Sequence, residues 1–320
     1  MEKKNKRLVL VTGGSGFVGR YCIIELLNSG YDVRTTVRSL NKRAEIEQSI
    51  LQAGVDNTDN LQFIEADLTS DLNWDKAATG CEFVLHVASP FPLIDPEDAN
   101  ELIIPARDGA LRVLRAARDA GVKRVVLTSS FAAVGYSVGP KGHVYTENDW
   151  TDPGSNANRA YIRSKAVAEK SAWDFIKREG NGLELSVINP VGIFGPALGQ
   201  ERSTSIRFVE GLINGSIKED MPFYFGVVDV RDVATIHVKA MLHPKAAGER
   251  FIATSDGAVC IRDIADLIRK ERPAKAGNIA SLNGTDPDLY TTISNGKASS
   301  VLDWHPRPKE EALLATVDSL

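Results

Sequence analysis

A run of apolar β-formers, Leu8-Val-Leu-Val-Thr12, passes directly into Gly13-Gly-Ser-Gly-Phe-Val-Gly19, and a helical apolar pattern then continues from Phe17 to Asn28 and closes at Gly30. Nothing else in the chain restricts the fold so much. The stretch satisfies two glycine spacings at once, Gly14-x-Gly16-x-x-Gly19 and Gly13-x-x-Gly16-x-x-Gly19. Glycine permits a tight turn and lets the backbone approach a ligand closely. The helix that follows offers unpaired N–H groups and a positive dipole end to an anion. A strand before and a helix after are the context in which this spacing cradles the pyrophosphate of a dinucleotide.

The same rhythm of short apolar run and longer helical stretch fills the first two-thirds of the chain. Further strands are expected at Val33–Val37, Leu61–Glu65, Glu82–Val87, Val125–Thr128 and Leu185–Ile188, with helices over Leu102–Ala120 and from Tyr161 onward. Strands alternating with helices imply βαβ units, hence an α/β Rossmann fold, a doubly wound parallel sheet covered on both faces. Beyond Asn189 the rhythm breaks at Pro190, Gly192, Gly195, Pro196 and Gly199. Residues 1–190 are therefore expected to form the dinucleotide-binding domain, with a return to it near 225–250 and to its sheet near Phe225–Val230. Residues 191–320 are expected to be mainly a smaller C-terminal substrate lobe, with Ala274–Asn295 as loop.

Composition excludes several classes of function. The 320 residues are 43% hydrophobic and 25% charged with a net charge of −4, ordinary for a globular protein. Past the basic start, Met1 to Arg7, no long basic run invites nucleic acid or an anionic membrane. The apolar run after that start is too short for a secretory signal, and no segment has the roughly 18 apolar residues of a membrane span. Cys22, Cys81 and Cys260 are far apart and in no metal-ligand spacing, so neither a metal nor a disulfide is expected. They read as buried thiols of a reducing compartment, the cytoplasm.

The end of the second strand sets the expected kind of dinucleotide. An NAD site places an acid there for the ribose 2′-hydroxyl, but this chain has Val37-Arg-Ser39, followed by Lys42 and Arg43. A guanidinium suits bidentate contact with a phosphate, so NADP(H) is expected, held by Arg38 and Lys42. Asp67, followed by Leu68 after the third strand, is a candidate contact to the adenine.

Tyr161 and Lys165 suggest chemistry. They are four apart at the start of a segment rich in helix formers, which puts them on one helix face with Cβ atoms roughly 5–6 Å apart. The ammonium is expected to favour phenolate and lower the tyrosine pKa from about 10, bringing a general acid toward neutral pH.

With these pieces in order, nearly the whole chain resembles an extended short-chain dehydrogenase/reductase. Thr12 to Gly19, the strand end Thr128-Ser-Ser130, Tyr161 with Lys165, and Pro190 fall in that family's sequence. It most resembles the branch of dihydroflavonol reductases, cinnamoyl-CoA reductases and microbial aldehyde or ketone reductases. Val33-Arg-Thr-Thr-Val-Arg38, Val125 to Ala133, Ala168 to Trp173, Asn189 to Pro196 and Val228 to Ala234 carry the likeness. The resemblance implies that Ser130, with Ser129 as fallback, binds the substrate carbonyl. It implies that Tyr161 protonates the developing alkoxide, and that Lys165 holds the ribose and tunes Tyr161. It places Thr12, Gly13, Gly16, Phe17, Val18, Gly19, Val87, Ala88, Ser89 and Pro190 against the cofactor. His86 reads as a core histidine.

The chain has Asn158-Arg-Ala-Tyr-Ile-Arg-Ser-Lys165 where cinnamoyl-CoA reductases carry Asn-Trp-Tyr-Cys-Tyr-Gly-Lys, which argues against an acyl-CoA substrate. The expectation is an NADPH-dependent reductase of an aldehyde or ketone. The alternatives are a nucleotide-sugar epimerase or dehydratase, for which the acid after strand two is missing, and a non-catalytic dinucleotide sensor. Phe91-Pro-Leu93, Tyr136, Ile193-Phe194, Phe208 and Phe223–Phe225 are expected to form an apolar wall for a hydrophobic or aromatic carbonyl compound. A monomer or a homodimer is consistent with the sequence.

Overall fold

Strands buried on both faces need apolar side chains on both, and the first strand shows how this chain supplies them. Val9 and Val11 enter one core cluster with Ile23, Leu26, Phe251 and Trp304, while Leu10 between them enters another with Val84, Leu114, Phe175 and Leu185. The computed structural model describes residues 7–90, 96–137, 141–155, 158–199 and 202–320. In it, Leu8–Thr12, Asp32–Val37, Leu61–Glu65, Phe83–His86, Arg124–Thr128, Glu184–Pro190 and Arg250–Ala253 form one seven-stranded sheet. All its pairings are parallel.

The first strand lies between the second and the fourth, the third strand forms one edge, and Arg250–Ala253 forms the other. Strand order thus reverses at Leu8–Thr12, and the crevice beyond the carboxyl ends of the first and fourth strands is where such sheets bind ligands. Helix Phe17–Asn28 ends with Gly30 at φ +82°, its N–H bonded to the Leu27 carbonyl and that of Tyr31 to the Leu26 carbonyl. Only glycine reaches that left-handed conformation without strain. Helices Asn100–Asp119 and Ala160–Glu179 pack side by side on the opposite face.

The expected return to the sheet at Phe225–Val230 is corrected. Phe225–Asp229 is the central strand of a separate three-stranded sheet, between Gly192–Phe194 and Ala258–Val259. The chain comes back one element later, when helix Val230–Leu242 packs on Phe17–Asn28 and Arg250–Ala253 pairs with Val187 to Pro190. A short, mostly apolar run such as Phe225-Gly-Val-Val228 fits either sheet, and its periodicity does not say which one accepts it. The small sheet has its own core of Phe194, Val209, Leu212, Val227, Ile261, Ile264, Ile268 and Leu313.

Candidate active site

The glycine loop is hung from the second strand. Gly13 N–H donates to Thr36 Oγ1 at 3.1 Å and Gly14 N–H to the Thr36 carbonyl at 3.1 Å. A Cβ at Gly19 would run into the carbonyl of Gly13, and one at Gly14 into the Thr35 hydroxyl, so these two glycines serve close packing. Gly16 differs. A Cβ there would meet nothing nearer than the Gly13 carbonyl at 3.4 Å, so it would project into the crevice. Gly16 is also the N-cap of helix Phe17–Asn28 and supplies no capping side chain. The first-turn donors, with Phe17 and Val18 half-buried beside them, suit a pyrophosphate. The residues present fit a dinucleotide.

Thr12 was expected against the cofactor, and the structure corrects this. Thr12 is fully buried; its hydroxyl accepts from Val87 N–H at 3.1 Å and Ala88 N–H at 3.0 Å and lies 2.8 Å from His86 Nδ1. One proton and two lone pairs are thereby all engaged, leaving nothing for a ligand. Thr12 instead ties the ends of the first and fourth strands together under the loop. Val87, Ala88 and Ser89 are half-buried along that floor, and Ala88 sits where a Cβ on Gly13 would touch it at 3.0 Å.

At the end of the second strand Arg38 is exposed, and among the described residues no carboxylate forms a salt bridge with it. Lys42 is paired with Glu45 at 2.9 Å, and Glu45 also accepts from Arg20 at 2.8 Å. Asp67 caps its own turn through Thr69, whose N–H and hydroxyl hold the carboxylate below its usual range with help from Arg38. Leu68 packs against Gly109. Arg20, which no sequence motif marks, is fully buried and bonds to Ser15, Ser49, Glu45 and the Leu198 carbonyl. It joins the glycine loop to the chain leaving the sheet.

Helix Ala160–Glu179 brings Tyr161 and Lys165 to the crevice, with the ammonium 5.7 Å from the tyrosine ring centre. The two serines that follow strand five diverge. Ser129 is buried and donates to Glu169 at 2.6 Å, whereas Ser130 is hydrogen-bonded to Tyr161. Pro190, at the end of the sixth strand, is buried beside Ala253.

The expected direction of the tyrosine shift is corrected. Burial pushes Tyr161 up to about 12, the Ser130 hydrogen bond works against that, and the phenol of Tyr136 adds to it. Desolvation sets that direction. Lys165 is itself buried, and desolvation pushes it down to about 8 against the Glu169 carboxylate. His86 is pushed down to about 3 by burial and by Lys165, so it is a neutral core group.

The expected apolar wall is partly dismantled. Phe194 is buried and stacked on Phe225, with ring centres 6.2 Å apart, and Phe208 packs edge-on against the same ring, so these three belong to the small lobe's core. Ile193 packs on the main core. Phe91-Pro-Leu93 lies outside the described residues. Tyr136 and Phe223, each 48% exposed, keep free surface. Tyr136 leans on Phe131 at 6.1 Å, close enough to Tyr161 to act on its titration.

Among solved structures, yeast methylglyoxal/isovaleraldehyde reductase Gre2 complexed with NADPH is similar to this chain with a TM-score of 0.84 and 28% identity, over 98% of this chain and 97% of its own. An uncharacterized oxidoreductase of Schizosaccharomyces pombe is 38% identical over 98% of this chain and 97% of its own. Cinnamoyl-CoA reductase CAD2 of Medicago truncatula is 36% identical over 98% and 95%. Residues 9–253 match the model of the NAD dependent epimerase/dehydratase family. The chain belongs to that family, the extended short-chain dehydrogenases/reductases, in the branch of the dihydroflavonol and cinnamoyl-CoA reductases.

Proposed function

We propose that this protein is an NADPH-dependent oxidoreductase that reduces an aldehyde or ketone to an alcohol. The observation that carries the site assignment is the hydrogen bond between Ser130 and Tyr161 at the mouth of the crevice, with Lys165 one helical turn behind. Bound NADPH supplies the hydride that adds to the carbonyl carbon. Gly13, Gly16, Phe17, Val18 and Gly19 would hold its pyrophosphate, Arg38 and Lys42 its 2′-phosphate, and Val87, Ala88, Ser89 and Pro190 would line its path.

Ser130 and Tyr161 are hydrogen-bonded to each other, so a carbonyl oxygen entering between them would meet both hydroxyls as donors, and such a pair stabilises negative charge where it develops. Tyr161 then gives its proton to that oxygen. Its pKa, pushed up to about 12, keeps the phenol protonated at neutral pH, as a proton donor in reduction requires. Lys165, pushed down to about 8, remains mostly charged at pH 7 and assists the phenol as it loses its proton.

A hydrophobic or aromatic carbonyl compound suits Tyr136 and Phe223, the exposed aromatic groups of the expected wall. The free, buried thiols of Cys22, Cys81 and Cys260 suit the cytoplasm. Among the described residues no helix is long and apolar enough to cross a membrane. The test is NADPH oxidation by purified protein over a panel of aldehydes, ketones, acyl-CoA esters and nucleotide sugars. Turnover of nucleotide sugars without net NADPH consumption would overturn the reading in favour of an epimerase.

A further inference from the structure

Carbonyl reduction leaves one buried charge on the catalytic helix without a role. Glu169 is fully buried, one turn beyond Lys165, and four donors converge on it. Ser129 Oγ donates at 2.6 Å, Asn189 Nδ2 at 2.7 Å, Arg250 Nε at 2.6 Å and Trp173 Nε1 at 3.3 Å. They come from the residue after strand five, strand six, strand seven and the helix itself. Arg250 is no loose counter-ion. Its guanidinium lies 3.6 Å from the centre of the Trp150 ring and donates to the carbonyls of Glu147 and Asp149.

Buried ion pairs give little net stability relative to apolar groups of the same shape, so one is better explained by what it positions. Asn189 Nδ2 donates both to Glu169 and, at 3.1 Å, to the carbonyl of Ser130. Ser129 is bonded to Glu169 directly. The carboxylate thus grips the strand end on both sides of the residue whose hydroxyl meets Tyr161.

We propose that Glu169, clamped by Arg250, is a positioning residue for the reduction: through Ser129 and Asn189 it fixes the direction of Ser130, and it sets a negative charge one helical turn from Lys165. The inference rests on the carbonyl-reductase reading of the site. Lys165 faces the Tyr161 ring on its own helix and His86 from the fourth strand. His86 is neutral at working pH, so among the described residues Glu169 is the carboxylate that acts on the ammonium. Around the clamp, Arg250 answers Glu169, Glu147 accepts from the Ile252 N–H at 2.9 Å, and Asp149 is engaged by His143.

E169Q keeps the shape and removes the charge. In a preparation whose wild type oxidises NADPH with a carbonyl substrate, E169Q is expected to lose about tenfold in kcat at pH 7. Its KM for NADPH should stay within about twofold. The alkaline limb of its pH profile should move down by about one pH unit, because Lys165 loses its proton sooner. E169D keeps the charge but is one methylene short, so it should keep the limb and lose part of kcat. A folded E169Q, checked by circular dichroism and NADPH binding, with wild-type kcat and limb would overturn the inference. If E169Q does not fold, a folded E169D with wild-type kcat overturns it instead. Wild-type protein that reduces no carbonyl is a different result, and it removes the reductase reading itself.

Discussion

The Thr12 hydroxyl donates to Nδ1 of His86 across 2.8 Å, because its lone pairs already accept the N–H groups of Val87 and Ala88. His86 Nδ1 must therefore be unprotonated, and burial with the nearby Lys165 pushes the ring down to about 3. His237 takes the opposite tautomer, its Nδ1–H donating to the Val233 carbonyl at 2.6 Å and its Nε2 accepting from the Thr128 hydroxyl at 2.6 Å, and burial pushes it down to about 4. Both folded values lie below the unfolded value of about 6.5, so below that pH the unfolded chain binds protons that the folded one refuses. Stability is fully present above pH 6.5 and falls as pH drops toward the folded values. Each histidine contributes about 1.4 kcal/mol per pH unit between pH 6.5 and 5, above the ordinary carboxylate range. Denaturant titrations at pH 7.5, 6 and 5 check this, and a folded H237N variant should flatten the slope by about half.

Removing the acid should leave binding intact. Y161F is expected to lower kcat by about 10²–10⁴-fold while NADPH affinity changes little, since the ring still fills its place. S130A should lose about 10²–10³-fold. S129A, whose hydroxyl faces Glu169, should lose far less, and equal losses for the two serine variants would reverse their assignment.

Reduction should fail on the alkaline side before the phenol itself titrates. Lys165 is pushed down to about 8 and Tyr161 up to about 12, so the ammonium is lost first as pH rises. The kcat profile should be level near pH 7 and fall through about pH 8. A profile flat to pH 10 would contradict the role of Lys165.

Arg38 should select the cofactor. It is exposed and free of salt bridges among the described residues, while Lys42 is shared with Glu45. R38A is expected to raise KM for NADPH roughly tenfold to a hundredfold, the worth of a charge-assisted hydrogen bond, and to leave KM for NADH nearly unchanged. K42A should do the same more weakly. An equal loss for both cofactors would place Arg38 elsewhere.

Gly19 is a packing glycine, because a Cβ there meets the backbone carbonyl of Gly13 and no flexible side chain can yield. G19A should cost about 1–3 kcal/mol of stability and lower Tm, as overpacking does. G16A, whose Cβ would point into the crevice, should fold normally and weaken NADPH binding instead. Thermal melts with and without NADPH separate the two.

Much of this protein was readable residue by residue because its signals are local. Phe17–Asn28 and Leu61–Glu65 lie where periodicity puts them, and the glycine loop joins strand to helix as its spacing demands. Glu169 was within reach of the same logic, one turn past Lys165 on the same face, but nothing in the sequence tells a carboxylate whether it will be buried. Its partner Arg250 lies 81 positions away, so only the closed fold could pair them.

The sequence by itself determined the βαβ alternation, the dinucleotide turn and a tyrosine–lysine pair on one helix face, because each depends on neighbours a few residues apart. Tertiary structure decided which serine meets Tyr161 and that Thr12 serves the floor, since both answers depend on which strands end side by side. It moved the seventh strand to Arg250–Ala253 and drew Phe194, Phe208 and Phe225 into the small lobe's core. It also reversed the sign of the tyrosine shift. Burial is a property of the whole packed chain, and here it is the largest influence on the phenol.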